Sequence, residues 1–254
     1  MKKNSILIPY ITGGFPNKRL FLPILETLSK CGADFIEVGV PHSDPLADGP
    51  VIQESSKIAL DNGVNLKWIV VETRLITSLR QRKIKPLILF SYLNPILQYG
   101  FEKLLRDLPK PLFYGLIIPD LPLEEAEKYL QLFGKYKLNL IPLVAPTTKI
   151  SRIKKIVRTY THLQGGFIYL VSVAGVTGVR KHLSSDLKNK IKEIKSCTRK
   201  PVVVGFGISS SKQAEKVISF GADGVVVGSA LIKVFKGSKG NLGRLRSFIN
   251  SFKK

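Results

Sequence analysis

Cysteine, histidine and acidic residues are scarce in this 254-residue sequence, and long apolar runs are missing altogether. A helix needs about 18 to 20 consecutive apolar residues to cross a bilayer. The longest apolar stretches here, such as 112–119 and 224–227, have the length of strands, so no spanning segment and no membrane partner are expected. The two cysteines, Cys31 and Cys197, lie far apart in helix-like contexts. That excludes a disulfide framework and a cysteine zinc site, and fits free thiols in a reducing compartment. His42 has no second histidine near it in its loop, so it reads as a wall or hydrogen-bonding residue and no metal is expected. Against 40 Lys+Arg stand only 18 Asp+Glu, a formal net charge of +22. Such a balance raises the question of nucleic acid. The cations, however, are spread over helix-like segments (149–158, 181–200, 244–254) without interleaved aromatics. They read as solvated helix faces whose field helps attract an anionic substrate, with no nucleic-acid partner.

With 44% hydrophobic residues the chain can bury one large core. No linker, repeat or break in composition marks a boundary, so residues 1–254 are expected to form a single (β/α)8-barrel catalytic domain. Eight short β-branched runs, at 6–12, 34–40, 86–91, 114–119, 139–144, 166–172, 201–205 and 224–227, alternate with helical stretches. The helical stretches are 17–31, 51–62 with 66–80, 101–108, 123–135, 151–160, 184–197, 211–220 and 242–252. Most of the runs are continuously apolar, as strands are when helices cover them outside and side chains fill the space inside, so a closed TIM barrel is expected rather than an open sheet. The charged start Met1-Lys2-Lys3 precedes a stretch broken by Pro9 and followed by Thr12-Gly13-Gly14, which suits a first strand better than a leader. Gly32 and Gly221 stand where helices end, and Ser209-Ser210-Ser211 offers N-cap hydroxyls. Pro23 predicts a late start or a kink in the first helix.

In such barrels the chemistry lies on the loops after the strands. Strand two, Phe35-Ile36-Glu37-Val38-Gly39-Val40, carries a carboxylate amid apolar residues and runs into Pro41-His42-Ser43-Asp44-Pro45-Leu46-Ala47-Asp48-Gly49-Pro50. A buried carboxyl holds its proton more tightly, which suits a group that both gives and takes protons near neutral pH, so Glu37 is the leading acid/base residue. Prolines stiffen the loop that holds Asp48 over the mouth, while Asp44 can brace it. Strands seven and eight end in Gly205-Phe206-Gly207-Ile208-Ser209 and Gly228-Ser229-Ala230. Glycines there let backbone N–H groups approach an anion, and a short helix beginning near Ser229 would aim its positive end at the same point. Strand six adds Tyr169 and a small-residue loop, Ser172 through Arg180, suited to closing over a ligand, with Gly178 able to join the phosphate cradle. Other phosphate-binding barrels would need a different acid/base set, and this chain lacks a convincing strand-borne lysine near the pocket.

Along nearly its whole length the sequence resembles the tryptophan synthase α subunit family. The matching segments include Pro9 through Gly14, Glu37 through Gln53, Ser91 through Ile96, Pro119 through Pro122, Ala145 through Thr148, Ser172 through Gly178 and Gly205 through Ser210. The resemblance implies a carbon-carbon lyase of tryptophan biosynthesis that cleaves indole-3-glycerol phosphate, by retro-aldol chemistry, to indole and glyceraldehyde 3-phosphate. It gives Glu37 the proton transfers, Asp48 the indole N–H, Tyr169 a place beside the catalytic carboxylate and Thr177 a contact with Asp48 on loop closure. Tyr10, Ile52, Tyr92 and Ile117 would line the indole pocket, and Gly178, Gly207, Gly228 and Ser229 would hold the phosphate. It further implies no cofactor in this chain, and a β subunit carrying pyridoxal phosphate, joined in an αββα heterotetramer through Asp44–Pro50, Asn94–Tyr99 and Asp120-Leu121-Pro122. The compartment would be a cytoplasm, or a plastid stroma for an organelle-encoded chain. Phe15, Pro119 and Val173 depart from residues common in the family.

Overall fold

The computed structural model describes residues 5–78, 83–160, 163, 165–171, 183–205, 207–238 and 240–253. Parallel strands in the order β5-β4-β3-β2-β1-β9-β8-β7-β6 form a single sheet. These are β1 (Ile6–Thr12), β2 (Ile36–Gly39), β3 (Leu87–Phe90), β4 (Phe113–Ile117), β5 (Asn139–Leu140), β6 (Leu143–Val144), β7 (Ile168–Val171), β8 (Val202–Gly205) and β9 (Gly224–Val227). The two end strands are halves of one extended segment. Its first half pairs with β4 and its second with β7, so Ile141 and Pro142 close the sheet into the expected (β/α)8 barrel. Ile141 N–H donates to Leu116 O (2.9 Å), and Pro142 O accepts from Tyr169 N–H (3.1 Å). The expected continuous fifth strand is interrupted there because Pro142 has no N–H to give a ladder.

Helices cover the outside: α1 (Phe21–Lys30), α2 (Pro50–Asp61), α3 (Leu66–Ser78), α4 (Leu93–Tyr99), α5 (Phe101–Asp107), α6 (Leu123–Ala126), α7 (Leu130–Lys135), α8 (Ile150–Thr159), α9 (Leu183–Cys197), α10 (Ser211–Ser219), α11 (Ser229–Gly237) and α12 (Leu242–Lys253). A 3-10 turn over Lys18–Leu20 delays the first helix until Phe21. That puts Pro23 in the first turn of α1, where a missing N–H breaks no helical bond. Gly32 (φ +88°) and Gly221 (φ +104°) end their helices in the left-handed region, and Ser210 caps α10 by accepting from Gln213 N–H. Helix α4 was not expected. Pro95 lies in its first turn, so a residue that reads as a breaker in the sequence is harmless in place.

Candidate active site

Parallel pairing sets Tyr10, Glu37, Ile88 and Gly115 side by side on β1, β2, β3 and β4, and Thr12, Gly39, Phe90 and Ile117 one step nearer the strand ends. Side chains two apart on a strand share a face. Glu37 and Gly39 therefore face the same way, and that way is inward. Glu37 interacts electrostatically with Tyr169 on β7, and with β2 and β7 well apart in the sheet order such an interaction runs through the barrel interior.

Glu37 is 2% exposed, and among the described residues its Oε2 has no hydrogen-bond partner. An unpartnered buried carboxylate is costly, so the neutral acid is favoured. Burial pushes the Glu37 carboxyl up to about 8, and the Asp48 carboxylate adds to the effect. Asp48 is held differently. It sits at the end of the loop that leads into α2, with its N–H on Pro45 O (3.0 Å) and its own carbonyl accepting from Gln53 Nε2 (2.9 Å). Tyr92 Oη donates to Asp48 Oδ2 (3.2 Å) and accepts from Ala47 N–H (2.9 Å), which ties the loop after β2 to the end of β3. Burial raises the Asp48 carboxyl to about 6; Asp48 is less buried than Glu37, and the Tyr92 hydroxyl stabilises its charge. Between pH 6 and pH 8 the site thus holds one carboxylate and one carboxylic acid.

Two tyrosines enclose this pair, each lying over a glycine of the next strand. A Cβ on Gly39 would stand 2.1 Å from Tyr10 Oη, and one on Gly205 would stand 2.1 Å from Tyr169 Oη. Both positions need glycine because an aromatic ring occupies the space above them. Desolvation holds both phenols well above their ordinary range, with carboxylate neighbours reinforcing it. Aromatic packing continues the wall. Phe90 meets Tyr10 edge-on at 6.1 Å and Tyr92 at 6.3 Å, and His42 stacks on Tyr92 at 4.9 Å. Phe90 escaped the sequence reading, although its place two residues before Tyr92 at a strand end was the available signal. Ile52 on α2 is buried, and α2 is fixed to β1 by the Thr12–Ser55 hydroxyl pair (2.6 Å).

The tops of β8 and β9 carry the glycines expected for an anion grip. Gly207 has φ +51° and open space where a side chain would be, and Gly228 precedes α11 with no side chain capping that helix. The first N–H groups of α11, from Ser229 onward, are therefore free to meet an anion. Thr177, Gly178 and the rest of the expected closing loop, with Val173, lie outside the described residues. Of the other departures, Phe15 is buried, and Pro119 lines a cavity of about 210 Å³ beside Pro122, Leu140 and Tyr160 rather than the carboxylate pair.

The sequence matches the tryptophan synthase alpha chain family over residues 1–252. This chain belongs to that family. It is 46% identical over 227 residues to the tryptophan synthase alpha chain of Prochlorococcus marinus subsp. pastoris, covering 89% of this chain and 79% of the relative. The alpha chain of Gracilaria tenuistipitata var. liui is 43% identical over 234 residues, 91% of this chain and 84% of its own length. Among solved structures, tryptophan synthase from M. tuberculosis in its aminoacrylate-bound form superposes with a TM-score of 0.84 at 32% identity, covering 98% of this chain and 92% of that one. An alpha subunit from Legionella pneumophila str. Paris gives 0.84 at 33% identity, over 98% and 91%. As a tryptophan synthase alpha chain, the barrel has a family in which to place the paired carboxyls and the glycines above β8 and β9.

Proposed function

We propose that this tryptophan synthase alpha chain uses Glu37 as its acid and base and Asp48 as its electrostatic partner in splitting indole-3-glycerol phosphate. The protein is a carbon-carbon lyase of tryptophan biosynthesis, releasing indole and glyceraldehyde 3-phosphate. The unequal pair of carboxyls carries the assignment of roles. Glu37, protonated near neutral pH, gives its proton to the indole carbon that bears the side chain. The ring becomes an indolenine with positive charge at nitrogen, and the Asp48 carboxylate accepts the N–H hydrogen bond and stabilises that charge. Glu37, now a carboxylate, takes the proton of the glycerol hydroxyl as the C–C bond breaks. Its electron pair returns to the ring, the carbinol becomes the aldehyde, and the acid is restored.

Tyr169 packs beside Glu37 and keeps water from it. Tyr10, Ile52, Tyr92 and Ile117 give the flat apolar walls that an indole requires. Gly207, Gly228 and Ser229 hold the phosphate, with Thr177 and Gly178 completing the site from the closing loop. All these steps are performed by side chains and backbone of one catalytic domain spanning residues 1–254, without a cofactor of its own. The indole passes to a β subunit, which carries pyridoxal phosphate, in an αββα assembly. Leu46 (85% exposed) in the Asp48 loop and Leu97 (50% exposed) on α4 support a partner surface beside the mouth. Relatives in cyanobacteria and in Gracilaria support a bacterial cytoplasm or plastid stroma as the compartment. Incubating the protein with indole-3-glycerol phosphate, with and without a β subunit, should release indole, and Glu37→Gln should release none while still folding and binding the β subunit. Substantial turnover by that variant would refute the role given to Glu37.

A further inference from the structure

The charge of this chain is divided unequally along its length. Residues 1–127 carry 15 Lys+Arg and 14 Asp+Glu, whereas residues 128–254 carry 25 against only four acids, Asp186, Glu193, Glu215 and Asp223. Nearly the whole net charge therefore belongs to the side of the barrel built from β5 to β9 and their helices. Within that side, α8 and α9 lie against each other. Ile153 and Ile156 of α8 and Ile191 and Ile194 of α9 are buried against the sheet. Lys154 with Arg158, and Lys188 with Lys192, stand four apart on the outer faces, flanked by exposed Lys149 and Arg199. No carboxylate of the described residues pairs with any of these six. By contrast, Arg152 and Lys155 share Glu124, Lys190 has Glu193, and Lys195 has Asp223.

Like charges four apart destabilise a helix. Two such pairs on neighbouring helices repel each other until an anionic surface neutralises them. With no spanning segment in the sequence, no membrane partner is expected; against that expectation, we propose that the outer face of α8 and α9 docks peripherally on an anionic lipid bilayer. A bilayer suits the face better than a nucleic acid does. The cations are spread over the outer faces of two helices, and among the described residues 128–253 no aromatic side chain is exposed on which a base could stack. Ile150, 45% exposed beside Lys149, supplies an apolar contact at the edge of the patch. Leu46 and Leu97 lie in the other, nearly neutral half of the sequence, so a protein seated over them is not competing for these cations.

Flotation of the full chain with vesicles tests the proposal. The protein should rise with phosphatidylcholine vesicles containing phosphatidylglycerol, stay behind with phosphatidylcholine alone, and be released by high salt. Each basic residue at such a surface is worth roughly fivefold in binding. Replacing Lys149, Lys154, Arg158, Lys188, Lys192 and Arg199 by glutamine should therefore weaken partitioning at least about a hundredfold, even with only half of them in contact, and leave kcat for indole release unchanged, since none of the six belongs to the carboxyl site. Exchanging Lys154, Lys188 and Lys192 for arginine should preserve it. Equal partitioning onto neutral vesicles, binding that ignores salt, full partitioning by the glutamine variant, or tighter retention on a DNA duplex than on the anionic vesicles would each overturn the proposal.

Discussion

Glu37→Gln should change how the stability of the barrel depends on pH. A carboxyl at about 8 in the folded state and 4.5 when unfolded binds more protons in the fold throughout that interval. Its contribution is therefore fully present below pH 4.5 and is lost progressively as pH rises to about 8. At about 1.36 kcal/mol per unit, the loss between pH 5.5 and pH 8 is roughly 3 kcal/mol. Glutamine does not titrate, so it removes this slope and substitutes a fixed cost of about 1–3 kcal/mol for a buried amide without partners. The variant should equal or fall below the unaltered protein at pH 5.5 and exceed it at pH 8. Urea denaturation followed by circular dichroism at the two values measures the change. If the two proteins lose stability in parallel across that range, Glu37 is not held neutral by burial, and the division of roles between it and Asp48 fails with it.

Tyr92→Phe removes the hydroxyl that stabilises the Asp48 charge and satisfies Ala47 N–H. The acidic limb of the rate profile should move up from about 6, and an unmoved limb would show that this hydrogen bond does not tune Asp48. Gly205→Ala places a methyl group within 2.1 Å of Tyr169 Oη, so it should displace that ring and lower kcat at least about tenfold while the barrel stays folded. Unchanged kcat with an unmoved near-ultraviolet tyrosine signal would dismiss Tyr169 as part of the site.

The barrel is legible in the sequence because strands covered on both sides must be continuously apolar, and eight such runs lie in order. Where the reading and the structure part, a proline is involved twice. Pro142 divides the fifth strand by withholding a donor, and Pro95 is absorbed into a first helical turn, so the same residue type breaks one element and permits another. The local sequence does not say which. Glu37 was legible because a charge in an apolar strand is conspicuous. Its difference from Asp48 was not, since that depends on burial and on Tyr92, 44 residues beyond Asp48 and brought to it by the pairing of β2 with β3. Gly39 likewise reads as one more strand residue and Gly205 as part of the anion grip until Tyr10 and Tyr169 are seen lying across them.

The most direct measurement is the pH dependence of kcat/KM for indole release. The account predicts a rise through about pH 6 as Asp48 ionises and a fall through about pH 8 as Glu37 loses its proton. A rate that continues undiminished well above pH 9 would mean that no carboxylic acid donates the proton, and the chemistry assigned to this site would be wrong.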